Sequence, residues 1–320
     1  MKKRIEELDF LKGICILLMI VFHLVYIGDK YPYAKQLVYT FHMPVFLVIS
    51  GYLMRVEKSS RQFLGTMLWI FVPYVVMESG YVVMSAVLPV REKVEELGIG
   101  LWLEKLFLHP LGPYWYLHTL IVCGLTYWAV EHGLRKLSLV SRMMVLALCY
   151  AFESEVCQLI ALSSGMYFWA GAVLSRSAVS FTSLFRPSGW AVWPLAWLAC
   201  YPANLNRFTL GGMTIVYLSV SLLLAVYRWL PARLRWRINY IGGHTFILLV
   251  FSPVFTMLVK PLVPVFAFDP SGMCFLAVAL AIAVAGSFLL AMTMDRLSVS
   301  RFFWGKKNMV LPASFWRQER

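Results

Sequence analysis

Apolar residues run along this chain in long blocks separated by short polar loops. Ten such segments can be drawn, at about 8–27, 36–54, 63–88, 113–130, 140–154, 156–175, 189–203, 209–227, 243–263 and 273–294. The blocks at 8–27 and 273–294 reach the ~20 residues of helix that a bilayer core demands. No small-residue cleavage site follows the first block; Tyr26-Ile27-Gly28-Asp29-Lys30 leads straight into more apolar chain. It therefore reads as a permanent membrane helix, not a cleaved signal. The pattern predicts an all-α, polytopic transmembrane bundle of about ten helices, with residues 1–320 as a single membrane-embedded domain. Two segments are weak: the fifth runs into Glu153 and Glu155, and the seventh is short and holds Pro194.

Charge sets the orientation. With Met1-Lys2-Lys3-Arg4 placed inside, the loops predicted to be cytoplasmic carry 21 Lys and Arg, against 7 in the outer loops. Such a bias marks the cytoplasmic side, so both termini are predicted there, in a multi-pass protein of the cytoplasmic (inner) membrane. If only one weak segment failed to span, Arg233-Leu234-Arg235-Trp236-Arg237 would move outside, against the bias. Both span or neither does, and ten crossings are expected over eight. The outer stretch 89–111 holds Arg91-Glu92-Lys93-Val94-Glu95-Glu96 and then Trp102-Leu103-Glu104-Lys105-Leu106-Phe107, which reads as an amphipathic helix along the interface.

Composition agrees: 60% of residues are hydrophobic and 14% charged, with a mean hydropathy of +0.72. Soluble chains are roughly half apolar. The net charge of +13 sits in short loops, not on one contiguous basic face, which argues against a nucleic-acid partner. Six scattered cysteines form no close pair, so neither a metal site nor a disulfide framework is expected.

Candidate chemistry begins in the first segment. Ionisable groups inside a membrane helix are costly, yet this one carries Asp9, Lys12 and His23. Lys12 and His23 are eleven residues apart, close to three whole turns, which places them on one face ~16 Å apart along the axis. Asp9 lies on nearly the same face and can pair with Lys12. A polar stripe of this kind must line a protein interior. The second segment opens with Phe41-His42-Met43-Pro44, Pro44 being placed as a first-turn starter, and closes with Ser50-Gly51-Tyr52. His42, expected near the top of that helix, approaches the depth of His23, and two imidazoles in one cavity suit proton handling near neutral pH.

These residues carry a resemblance. The run Leu8-Asp9-Phe10-Leu11-Lys12-Gly13, then His23, then Phe41-His42-Met43-Pro44-Val45-Phe46 and Ser50-Gly51-Tyr52-Leu53 resembles the membrane acyltransferase-3 family. That family includes bacterial sugar and peptidoglycan O-acetyltransferases. Tyr114-Trp115-Tyr116-Leu117 and Ile241-Gly242 are similar to later family motifs, while Ser252 stands where many members have a second-half histidine. The resemblance implies about ten transmembrane helices, an essential histidine at His23, acetyl-CoA as acyl donor and a carbohydrate or lipid-linked glycan as acceptor.

The roles expected follow from that. His23 acts as general base on an acceptor hydroxyl. Lys12 meets CoA phosphates or pairs with Asp9, and Arg61, with Arg55 and Lys58, holds the nucleotide end. His42, Glu78, Trp115 and Tyr116 are candidate acceptor contacts; Asp9, Ser50 and Tyr52 support the site. Each has a plainer alternative: helix capping for His42, interfacial anchoring for Trp115 and Tyr116, ion pairing for Glu78, and topogenic charge for Lys12 and Arg61. The runner-up function is a transporter or flippase that uses the same polar cavity.

Overall fold

The computed structural model describes residues 5–87 and 97–310; Lys2, Lys3, Arg4 and the charged run from Arg91 to Glu96 lie outside them. Among the described residues every regular element is helical. In chain order these are α1 (Glu6–His23), α2 (Val25–Lys30), α3 (Pro32–Leu53), α4 (Ser60–Val87) and α5 (Ile99–Phe107). There follow α6 (Trp115–Gly133), α7 (Leu139–Glu155), α8 (Leu162–Arg176), α9 (Phe181–Leu184) and α10 (Val192–Ala199). The last are α11 (Leu210–Trp229), α12 (Ala232–Gly243), α13 (Thr245–Leu258), α14 (Met273–Arg296) and α15 (Ser300–Trp304).

Four of these, α3, α4, α11 and α14, are long and apolar enough to cross a membrane; α12 and α13, bent by 79° at a short break, qualify together. Large apolar side chains such as Leu68, Val76, Leu289 and Val278 face outward on these helices, the surface that lipid would cover. Helix α1 tolerates Asp9 and Lys12 for a different reason. Its Phe10, Leu11, Cys15, Ile16 and Ile20 are wholly buried, so protein surrounds it and little of it is left to meet lipid.

Three sequence expectations are corrected. The first apolar block is not one helix: Leu24 adopts an extended backbone (φ −68°, ψ 99°), which ends α1 at His23 before α2 resumes. The second long helix does not start at the His42-Met43-Pro44 motif. It starts at Pro32, where a fixed φ and a missing N–H cost nothing, and Pro44 lies inside it. His42 is therefore a mid-helix residue and not a cap. The seventh segment, finally, forms an α-helix of only eight residues, α10, between 3-10 turns at Gly189–Ala191 and Pro202–Asn204. It nevertheless runs antiparallel to α11, from Ser188, whose N–H donates to the Ser221 carbonyl (3.1 Å), to Asn204, packed on Gly211.

The chain forms two compact units. The first comprises 1–46, 178–300 and 307–320. Within it α1 crosses α12 at backbone contact: a Cβ on Gly242 would lie 1.7 Å from the Asp9 carbonyl oxygen, and one on Gly13 2.5 Å from that of Ile238. Glycine here is what allows the helices to meet. At the start of α1, Glu6 accepts hydrogen bonds from the Tyr227 hydroxyl (2.8 Å) and the Asn239 amide (3.3 Å). Around its far end, Leu24 and Ile27 form an apolar cluster with Val259, Phe275 and Ala279.

The second unit comprises 47–177 and 301–306. The end of α3 and α8 touch through Gly51 and Gly171, where added Cβ atoms would meet the carbonyl oxygens of Phe168 and Val48 at 2.0 Å. Arg176 reaches Glu57 (3.0 Å) and Glu131 (3.4 Å), and Arg142 also pairs with Glu131 (3.0 Å). The amphipathic stretch is helical, as expected. This helix, α5, docks on α4 through Trp102 Nε1 donating to Ser79 Oγ (2.9 Å) and the Tyr74 hydroxyl donating to the Leu106 carbonyl (2.7 Å).

Candidate active site

His23 is the last residue of α1, presented by the break at Leu24. Its Nδ1 lies 2.7 Å from the Met19 carbonyl oxygen. A carbonyl only accepts, so Nδ1 carries the proton and the neutral ring keeps its lone pair on Nε2. The residue is half-buried. His42 repeats the arrangement on α3, with Nδ1 2.7 Å from the Val38 carbonyl. It is 1% exposed, and its Nε2 is buried without a hydrogen-bond partner among the described residues. An orphaned acceptor at this depth is expensive unless something supplies it a proton.

Tyr39 joins the two. Its ring centroid is 6.2 Å from that of His23 and 5.1 Å from that of His42. Its hydroxyl donates to the Phe22 carbonyl (3.3 Å), tying α3 to the last turn of α1. The two histidines thus share one aromatic neighbour in the first unit.

Lower on α1, Lys12 Nζ is 2.8 Å from Asp9 Oδ1, in the i, i+3 pair that the spacing allows. The remaining sequence candidates belong to the second unit. Arg61 is exposed in the first turn of α4, with Arg55 exposed nearby in sequence. Ser50 Oγ and the Tyr116 hydroxyl are hydrogen-bonded at 2.7 Å, linking α3 to α6. Glu78 is completely buried and accepts the Leu111 N–H at 2.5 Å, holding the turn that precedes α6. Trp115 is half-buried beside Tyr116, and Tyr52 is half-buried on α3. Among the described residues no three His, Cys, Asp or Glu side chains gather as a metal site.

Sequence reasoning missed a cleft of about 730 Å³ in the first unit, lined among others by Asp29, Lys35, Gln36, Tyr39, Asn206 and Arg207. Lys35 and Tyr39 precede His42 by seven and three residues, which is one helix face; starting the helix at Pro32 would have revealed them. Arg207 comes from the loop before α11. No local signal in the sequence joins it to α3.

A family model described as an acyltransferase domain matches residues 5–292. The chain belongs to the acyltransferase-3 family. No curated protein and no solved structure matches it. This acyltransferase-3 protein is thus a membrane acyltransferase, by family and by its apolar helices. The matched residues include His23, His42 and every other site candidate named above.

Proposed function

We propose that the protein transfers an acyl group, acetyl in the first instance, from acetyl-CoA to a hydroxyl of a carbohydrate or lipid-linked cell-envelope precursor. His23 is the general base. The observation that carries this reading is the Nδ1 contact to Met19, which leaves Nε2 as the basic nitrogen of a half-buried residue. Nε2 takes the proton of the acceptor hydroxyl as its oxygen bonds to the thioester carbonyl carbon. The carbon–sulfur bond then breaks, and the leaving CoA thiolate recovers the proton from the imidazolium. His42, 1% exposed, supports the site from behind Tyr39.

Lys12 contributes positive potential below His23 on α1, tempered by Asp9. Arg61, exposed in the first turn of α4, has by itself the chemistry to hold a CoA phosphate. Ser50 and Tyr116 act as scaffold, because their hydroxyls bond each other, and Glu78 does so through the one oxygen that holds the Leu111 N–H.

The proposed topology has ten crossings of the inner membrane, with both termini cytoplasmic. Contacts inside each unit support it. Segments assigned inside by charge meet one another, Glu6 with Tyr227 and Asn239, and Arg176 with Glu57. Segments assigned outside also meet, residues 28–40 with 205–207 and Leu24 and Ile27 with Val259 and Phe275. The stretch 188–204, laid along α11, leads from the first set to the second.

The test is incubation of the purified protein in lipid nanodiscs with labelled acetyl-CoA and candidate sugars, beside His23→Ala. Label in the sugar with the intact histidine only is the expected result. Thioester turnover indifferent to His23, with no labelled sugar, would point to a transporter.

A further inference from the structure

The cleft beside Tyr39 has the chemistry of a docking site for a negatively charged group. Lys35 projects into it from the first turn of α3, its side chain 19% exposed. The ammonium lies 5.8 Å from the centre of the Tyr39 ring. Gly28 makes room for it: a Cβ there would sit 3.1 Å from Lys35 Nζ and 3.2 Å from its Cδ.

Arg207 lines the same cleft from the loop before α11, and that loop is held in place. Asn206 Oδ1 accepts the Phe208 N–H (3.0 Å), and the Asn206 carbonyl accepts from the Thr209 hydroxyl (2.9 Å). Gly212 lies so close to that carbonyl that an added Cβ would stand 2.0 Å from its oxygen. Leu205 is buried beneath. Asp29, with an oxygen 3.9 Å from Lys35 Nζ, offsets one of the two positive charges, so the ionisable side chains in the lining sum to a net positive charge.

Resting on the acyl-transfer reading, we infer that this cleft receives the acceptor, and that Lys35 and Arg207 engage an anionic group carried by it, a carboxylate or a phosphate. Gln36 and the Asn206 amide N–H, also in the lining, suit neutral hydroxyls. Tyr39, which lines the cleft and touches both imidazole neighbourhoods, then sets the distance between the anionic group and the hydroxyl that is acylated.

The experiment compares methyl glucuronide and glucose 6-phosphate with methyl glucoside, as acceptors and as ligands of the full chain in nanodiscs of neutral lipid. A charge-assisted contact predicts a preference of about tenfold in kcat/KM for an anionic sugar. Lys35→Gln and Arg207→Gln should each bring that ratio toward one, while Lys35→Arg keeps it. Asp29→Asn should raise affinity for the anionic sugars, a gain that a folding defect cannot imitate. The two anionic sugars distinguish carboxylate from phosphate.

Equal use of charged and neutral sugars, or a preference untouched by Lys35→Gln and Arg207→Gln, overturns the inference. So does a thermal shift that depends on Lys35 and Arg207 and appears with anionic lipid in the nanodiscs, while neither anionic sugar produces one. Thermal-shift titration with the same sugars reads the binding without turnover. If no acyl transfer occurs and the anionic sugars still bind through Lys35 and Arg207, the catalytic reading fails and the cleft assignment stands.

Discussion

The ring centroid of Tyr39 lies 5.1 Å from that of His42, at an interplanar angle of 40°. One helical turn of α3 thus carries both a wall of the cleft and a buried imidazole. The arrangement depends on α3 beginning at Pro32, because a helix begun at His42 would leave Tyr39 in a loop.

His23→Ala is expected to lower acyl transfer by about a hundredfold or more, the scale of a lost general base. His23→Gln should do the same, since an amide cannot take the proton. Size-exclusion profile and melting temperature in detergent should stay near those of the unaltered protein, because His23 is partly open and its one hydrogen bond is to its own helix. Turnover within threefold of normal would remove His23 from the mechanism.

Tyr39→Phe keeps the ring and removes the 3.3 Å hydrogen bond to Phe22, and is expected to cost little activity. Tyr39→Ala removes the ring between the two histidines and should depress kcat/KM for the acceptor about tenfold or more. The comparison is made at saturating acetyl-CoA, and similar activities for the two variants would contradict a positioning role.

Gly242→Ala places a methyl group 1.7 Å from the Asp9 carbonyl oxygen and must push α1 away from α12. Overpacking of this kind costs ~1–3 kcal/mol or more. Gly65→Ala is the control: nothing lies within 4 Å of its added Cβ, and in a helix alanine is favoured over glycine by ~1 kcal/mol. Melting temperatures in detergent should fall for the first and hold or rise for the second.

Glu78→Ala leaves the buried Leu111 N–H without its acceptor, which costs ~1–3 kcal/mol. The loss should appear in thermal stability. The KM for acceptor should stay unchanged in the protein that remains folded. A raised KM at normal stability would instead put Glu78 in contact with substrate.

Asp269, in the turn before α14, accepts from the Ser271 hydroxyl (2.6 Å), the Cys274 N–H (2.8 Å) and the Ser271 N–H (2.9 Å). The Ser271 hydroxyl first, then the Cys274 N–H, hold its carboxyl well below the usual carboxylate range. A carboxylate depressed in the folded state adds stability at pH above its unfolded value of ~3.9, and that contribution is lost as the pH falls through the lower folded value. Hydrogen exchange at Cys274 should therefore quicken below about pH 4, beyond the ordinary pH dependence of amide exchange. In Asp269→Asn that extra acid step should disappear.

Much of this was legible in the one-dimensional pattern. Apolar blocks of bilayer length needed no partner to be read, because lipid imposes its requirement on each helix separately. Lys12 with Asp9, three residues apart, and the place of His23 three turns above follow from helical periodicity alone. Glycines 13, 51, 171 and 242 were less transparent: a sequence shows a missing side chain, and only a packed neighbour shows what it admits.

What the sequence determined by itself was the helical, membrane-embedded class, the polar stripe of α1 and the histidine that heads it, since these rest on spacing within one segment. What only the tertiary structure decided was where α1 stops, where α3 starts, and that Lys35 and Arg207 face one cleft. The two helix ends lie at Leu24 and Pro32, within apolar or mixed stretches whose pattern alone does not mark them, and the cleft joins residues more than 150 positions apart, a range that no local periodicity encodes.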